Sequence, residues 1–255
     1  MKFLDKASAV ILALVLTASM TLSAACSVDR SDVYIIATDT SFAPFEYMDS
    51  QGNLVGIDMD ILAAVAADQG FSYEVRSLGF DAALQALASD QADGVIAGMS
   101  ITERRKEIFD FSDPYFSSGI VMGIAADNDS IQDYADLSGL VVAVKTGTVG
   151  EAFAESIQAQ YGFEIVRFKD SVLMYDDVLA GNSQACFEDY HVLGYAISKG
   201  LALKIATDME QSSFYGFAVA RGQNPELLQM FNAGLKNIID NGIYQEILDS
   251  YILSE

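Results

Sequence analysis

The chain has 255 residues and a formal net charge of −22, with 36 acidic against 14 basic side chains. A field of that sign repels phosphate backbones and anionic lipid surfaces, so nucleic-acid binding is excluded. No H-E-x-x-H or C-x-x-C pattern occurs, so neither a built-in metal site nor a metal cofactor is expected.

Lys2 and Lys6 form a basic start, and residues 7–25 then carry no charge around Val10-Ile11-Leu12-Ala13-Leu14-Val15-Leu16. The run is borderline in length for a membrane-spanning helix, and its second half is polar (Thr17, Ser19, Thr21, Ser23). With the small residues Ser23-Ala24-Ala25, it reads as a secretory signal peptide over residues 1–25. Leu22-Ser23-Ala24-Ala25-Cys26 resembles a bacterial lipobox, with Leu22 one place further from the cysteine than usual. That resemblance implies a lipidated Cys26, a tether over residues 26–31 and an extracytoplasmic, membrane-anchored protein. Cys186 would then have no cysteine partner, and a mature chain of this length builds a core without a disulfide.

From residue 33 onward, strand and helix patterns alternate. Val33-Tyr34-Ile35-Ile36-Ala37 is a short apolar run ending in a polar loop, and Phe71-Ser72-Tyr73-Glu74-Val75 alternates with period two. Ile61, Leu62, Val65 and Ala66 share one face of a predicted helix over 58–69, with Asp58 and Asp60 at its N-terminus, where negative charge is favourable. Ala83, Leu84, Leu87 and Ala88 mark a second helix over 80–89. Val95-Ile96-Ala97 and Val141-Val142-Ala143-Val144 are further buried strands. Leu227, Leu228, Phe231, Leu235, Ile238 and Ile239 line a long terminal helix that Gly242 interrupts. This alternation predicts α/β layers with mostly parallel sheets, in two centres over about 32–116 and 119–212. Such sheets bind ligands beyond the carboxyl ends of their strands, so two facing lobes would form a cleft.

Several stretches line up with one family. Ser41-Phe42-Ala43-Pro44-Phe45-Glu46 with Gly56-Ile57-Asp58-Met59-Asp60-Ile61 resembles the opening of the bacterial family 3 solute-binding proteins. Gly98 to Arg105 with Phe109-Asp110-Phe111-Ser112-Asp113-Pro114-Tyr115 matches their middle signature. Lys145-Thr146-Gly147-Thr148, Phe187-Glu188-Asp189 and Asn241-Gly242-Ile243-Tyr244 follow in the right order. Within the family the chain is most similar to glutamine-binding receptors.

The resemblance implies a type II periplasmic-binding-protein-like fold. Lobe 1 would span 32–116 plus 214–255 and lobe 2 119–212, joined by a two-strand hinge with the ligand cleft between them. It implies a monomeric receptor that hands a free amino acid to the permease of an ABC importer. A zwitterion needs one fixed cation and one fixed anion, because a buried ion without a partner costs several kcal/mol. Arg105, three places after Thr102, is the fork for the ligand carboxylate, and Asp189 is the anion for its ammonium. Thr148 and the Val149 amide, at a helix start after Gly147, would also hold the carboxylate. Ala97, Gly98 and Ser100 would complete the ammonium cage. Phe42 and Phe80 would clamp the ligand stem, and Asp39 with Lys145 would take a side-chain amide, which favours glutamine. Glu188 stands where some glutamine receptors have histidine, and Gln184 where the family often has an acid.

Two other readings are open at this point. An enzyme on the same scaffold, acting on a cyclic acid, could use Glu188 or His191 as its acid or base. A sensory ligand-binding module is the other. His191, the only histidine, reads more simply as structural.

Overall fold

The computed structural model describes residues 33–252. The signal-peptide, tether and Cys26 readings therefore lie outside the described residues. The strands are β1 (Val33–Thr38), β2 (Ser41–Phe42), β3 (Glu46–Met48), β4 (Leu54–Val55), β5 (Ser72–Ser77), β6 (Gly94–Val95) and β7 (Phe109–Phe111). They continue with β8 (Phe116–Ala125), β9 (Val141–Lys145), β10 (Glu164–Phe168), β11 (Ala185–Asp189), β12 (Leu203–Ile205), β13 (Glu210–Tyr215) and β14 (Ala218–Ala220). The helices are α1 (Ile57–Gln69), α2 (Phe80–Ala88), α3 (Glu103–Lys106), α4 (Val149–Tyr161), α5 (Ser171–Leu179), α6 (Tyr190–Ser198), α7 (Pro225–Asp240) and α8 (Ile243–Tyr251).

Two sheets follow one plan. The first runs β5-β1-β6-β14-β7 and the second β10-β9-β11-β8-β12, with β13 also paired to β8. In each, three neighbouring strands are parallel, and one strand from the lobe crossing enters antiparallel between the third and the last. The intruder is β14 in the first sheet and β8 in the second. The chain passes between lobes on two adjacent strands, with Phe116 opposite Tyr215 and Ser117 opposite Phe214. This is the two-lobed α/β fold with a two-strand hinge that the resemblance implied.

Local sequence explains the elements. In β1 the inner end, Ile36-Ala37-Thr38, is wholly buried, as an apolar run between helical layers must be. The apolar stripe of α7 packs on α1, so the C-terminal segment returns to lobe 1. Gly242, at φ 87°, supplies the left-handed residue that separates α7 from α8. The expected strand over 95–97 is shorter than its apolar run, because the chain leaves the sheet after Val95 to form a loop at Ala97-Gly98. No helix among the described residues is long and apolar enough to cross a membrane.

Candidate functional site

The carboxyl ends of four parallel strands converge between the lobes. Asp39 follows β1, the Ala97–Ser100 loop follows β6, Lys145 is the last residue of β9, and Asp189 is the last of β11. Between them lies a narrow pocket, nearly filled by the side chains that line it. Of the eleven binding residues named from sequence, Phe42, Phe80, Ala97, Gly98, Ser100, Arg105, Lys145, Thr148, Val149 and Asp189 line it. Asp39 is wholly buried behind the wall, bonded to Lys145.

Arg105 stands on α3, a single turn whose start is fixed by Thr102: the Thr102 hydroxyl accepts from the Arg105 amide at 3.2 Å. Its Nη1 donates to the Ser100 carbonyl at 2.7 Å, and its Nη2 crosses the cleft to the Gly147 carbonyl at 3.0 Å. The guanidinium carbon lies 5.2 Å from the centre of the Phe80 ring, a cation–π distance. Burial lowers the guanidinium pKa to about 10, against the attraction of Asp189. The neighbouring Arg104 is exposed.

Asp189 is 5 % exposed and accepts a long bond from the Ser118 hydroxyl at 3.5 Å. Burial, with the neighbouring Glu188 charge, raises its carboxyl to about 8, while Arg105 pulls the other way. No ion pair among the described residues joins Arg105 to Asp189. A guanidinium from lobe 1 and a carboxyl from lobe 2 thus face one cavity without a direct ion pair between them.

The opposite end is built differently. Lys145 is 1 % exposed, pairs with Asp39 across the lobes, and lies 5.0 Å from the centre of the Phe42 ring. Burial alone would lower its ammonium pKa, but Asp39, Glu188 and Glu46 outweigh it and the net shift is upward. Glu188 supports this group from behind. It accepts from the Tyr175 hydroxyl at 3.0 Å and from the Asp189 amide at 3.1 Å, and burial raises its carboxyl above the usual range. Sequence had offered Glu188 only as the acid or base of an enzyme; its charge instead acts on the lysine, and its side chain is not on the cavity wall.

Thr148 caps α4: its hydroxyl accepts from the Glu151 amide at 3.2 Å and donates to the Lys145 carbonyl at 2.7 Å. The hydroxyl proton is therefore committed within the turn. The Val149 amide, in the first turn of α4, is the donor that this helix end offers to an anion. Gly147, at φ 82°, lets the preceding turn present its carbonyl to Arg105.

His191 packs edge-on against Phe116 at 4.8 Å, and burial lowers its pKa, so the ring is a neutral part of the lobe contact. Gln184 accepts from the Val141 amide at 3.1 Å and serves the sheet edge. Sequence reasoning missed two fully buried acids, Glu46 and Asp58, next to this site. A carboxylate in the first turn of a helix usually faces water, and only the tertiary fold places this one inside.

A model of the bacterial extracellular solute-binding proteins, family 3, matches residues 34–254. The second substrate-binding domain of a putative amino acid ABC transporter from Streptococcus pneumoniae Canada MDR_19A is 45% identical, covering 86% of this chain and 99% of that one, at TM-score 0.60. Substrate-binding domain 2 of Lactococcus lactis GlnP, in its open conformation, is 39% identical over 88% of this chain and 97% of that one, also at 0.60. An ancestral arginine-binding protein bound to glutamine is only 33% identical, over 87% and 98%, yet fits at 0.81. The less identical chain fits better overall, the pattern expected when two lobes are rotated in one structure and drawn together in the other. The chain belongs to the bacterial extracellular solute-binding proteins of family 3, binding proteins of transport systems rather than enzymes.

Proposed function

We propose that this chain is the extracytoplasmic receptor of an ABC importer, capturing a free polar amino acid, glutamine first, by closure of its two lobes. On this reading residues 1–25 are a signal peptide, Cys26 carries the lipid, and residues 26–31 tether lobe 1 (32–116 with 214–255) and lobe 2 (119–212). The ligand carboxylate meets Arg105 and the Val149 amide. Its ammonium meets Asp189, the Ser100 hydroxyl and the carbonyls of Ala97 and Gly98, while Phe42 and Phe80 hold its stem.

The buried Asp39–Lys145 pair carries the choice of ligand. A basic side chain reaching that end meets Lys145, and an acidic one meets Asp39. A primary amide donates to the carboxylate and accepts from the ammonium, so it inserts into the pair without an unpaired charge. One observation favours arginine as the runner-up: Glu188 supplies a second acid beside Lys145. A receptor of this kind closes because its ligand contacts both lobes at once.

A thermal-shift screen of the chain from Ser27 onward against the twenty amino acids tests this. Glutamine should raise the melting point most, since native-state binding stabilises by mass action. No shift with any amino acid, alongside a shift with a sugar, would overturn the ligand class; a larger shift with arginine would overturn the choice of glutamine.

A further inference from the structure

Glu46, on β3, and Asp58, in the first turn of α1, are both wholly buried, and neither lines the cavity. Both Glu46 oxygens and Asp58 Oδ1 lack any hydrogen-bond donor. The two carboxyls nevertheless lie within hydrogen-bonding reach of each other. Two carboxylates in contact in a dry interior cannot both ionise, whereas one proton between them gives each an oxygen partner. The surroundings decide where that proton resides. Burial and the charges of Asp58 and Asp39 push Glu46 well above the carboxylate range, and Lys145 offsets this only in part. Burial raises Asp58 to about 6, held there by the Gly98 amide and the Tyr115 hydroxyl. Of the two, Glu46 is pushed further toward the protonated form, and Asp58 keeps the donors that favour its charge.

Asp58 Oδ2 accepts from the Gly98 amide at 2.7 Å and from the Tyr115 hydroxyl at 2.9 Å. Gly98 is held at φ 51°, and a Cβ there would come within 2.3 Å of the Phe42 ring, so this backbone is tightly placed. In a trans peptide the N–H and C=O point opposite ways. Fixing the Gly98 N–H on Asp58 therefore turns the Ala97 carbonyl away from it, and Ala97 and Gly98 both line the cavity. A negative charge behind the amide polarises that peptide and strengthens its carbonyl as an acceptor. Tyr115 leads directly into β8, the crossing strand, and its carbonyl accepts from the Tyr244 hydroxyl.

We propose that Glu46 and Asp58 are positioning residues for the ammonium end of the site, a carboxylic acid–carboxylate pair that orients the Ala97–Gly98 peptide and ties it to Tyr115 at the lobe crossing. The proposal rests on the reading that this end of the cavity receives a ligand ammonium.

The test compares the full-length chain with Asp58→Asn and Glu46→Gln, measuring Kd for glutamine by calorimetry from pH 5 to 8, with a melting curve for each. Glu46→Gln keeps a neutral N–H donor toward Asp58, so the pH step in binding that Asp58 sets should persist in it. Asp58→Asn removes a charge-assisted acceptor and should weaken binding at least about tenfold while still melting cooperatively. In the parent, binding weakens further as pH falls through about 6 and Asp58 takes a proton; that step should vanish in Asp58→Asn. A folded Asp58→Asn with unchanged Kd and pH profile would overturn the proposal. Carboxyl-carbon NMR of the parent decides independently of any variant. Glu46 should remain protonated at pH 7 with Asp58 ionised, and an ionised Glu46 would defeat the pairing. Should the parent bind no amino acid at all, the functional reading fails, while the NMR result still decides the acid pair.

Discussion

The two ends of the interlobe cavity hold the same kinds of charge in opposite states. At one end Arg105 and Asp189 come from different lobes and do not pair; one is lowered to about 10 and the other raised to about 8 by burial. At the other, Asp39 and Lys145 also come from different lobes but are bonded to each other. An end whose two groups are not bonded to each other can take both ends of a zwitterion, so it supplies affinity. An end already neutral accepts only a group that donates and accepts at once, so it supplies selection. The sheets make the contrast geometric: Asp39 and Lys145 stand at the carboxyl ends of the second strands in the two sheet orders, β1 and β9, whereas the Gly98 loop and Asp189 stand at those of the third, β6 and β11.

Removing the Arg105 cation should have the largest effect. Arg105→Ala deletes the ligand's carboxylate partner together with the bond to the Gly147 carbonyl across the lobes. Losing one partner of a buried charged hydrogen-bond pair costs about 2–5 kcal/mol, so calorimetry should show at least about a thirtyfold weaker Kd, with little loss of melting temperature. Arg105→Lys should not rescue it, because a point charge cannot replace the planar fork.

The next change breaks the neutral end. Lys145→Met leaves Asp39 buried without its counter-ion and Glu188 beside it. Breaking a buried pair destabilises by about 3–5 kcal/mol, read as a lower denaturant midpoint. The same variant should invert selection: arginine should now bind better than glutamine, because its guanidinium replaces the missing cation. Glutamine still preferred by a folded Lys145→Met would show that this end does not select by charge.

How much of this was legible beforehand differs between backbone and site. The apolar runs of β1 and β9 and the one-sided face of α7 declare themselves by period, since burial on one or two faces is written in residue order. The family motifs led to the residues that surround the cavity. Sequence order could not show that Asp39 and Lys145 are bonded, because they lie 106 residues apart and meet only through lobe contact. Nor could it show Thr148 spending its hydroxyl proton on the Lys145 carbonyl, or Asp58 turning inward to hold Gly98. Those facts depend on which way a side chain faces after packing. Solvent-facing and inward-facing carboxylates look alike in a sequence with 36 acids.

Changing pH sharpens the comparison without mutation. Asp189 titrates near 8 in the folded protein, well above an ordinary aspartate, because burial and Glu188 disfavour its charge. Between the ordinary carboxylate range and pH 8 the unfolded chain has therefore lost a proton that the native chain keeps. Its contribution to stability is complete below the unfolded value and is lost as pH rises toward 8. Ligand binding runs the other way, since an ammonium needs the ionised form: affinity should improve from pH 6 to 8 as stability without ligand declines. Calorimetry at pH 7 in two buffers of different ionisation enthalpy should show proton release on binding, and equal apparent enthalpies would refute it.

The smallest expected effect tests the support behind Lys145. Tyr175→Phe removes one donor to Glu188 and should cost about 1–3 kcal/mol of stability through the orphaned acceptor. Glu188 keeps its bond from the Asp189 amide, so the lysine should stay in place and the order of amino acids should not change. Glu188→Gln goes one step further by removing the charge that helps hold the ammonium and raises Asp189. Its distinguishing signature is a pH profile of binding moved to lower pH, because Asp189 ionises more easily without a neighbouring carboxylate. A profile that stays put would mean that burial alone sets Asp189, and that the two ends of the cavity act independently.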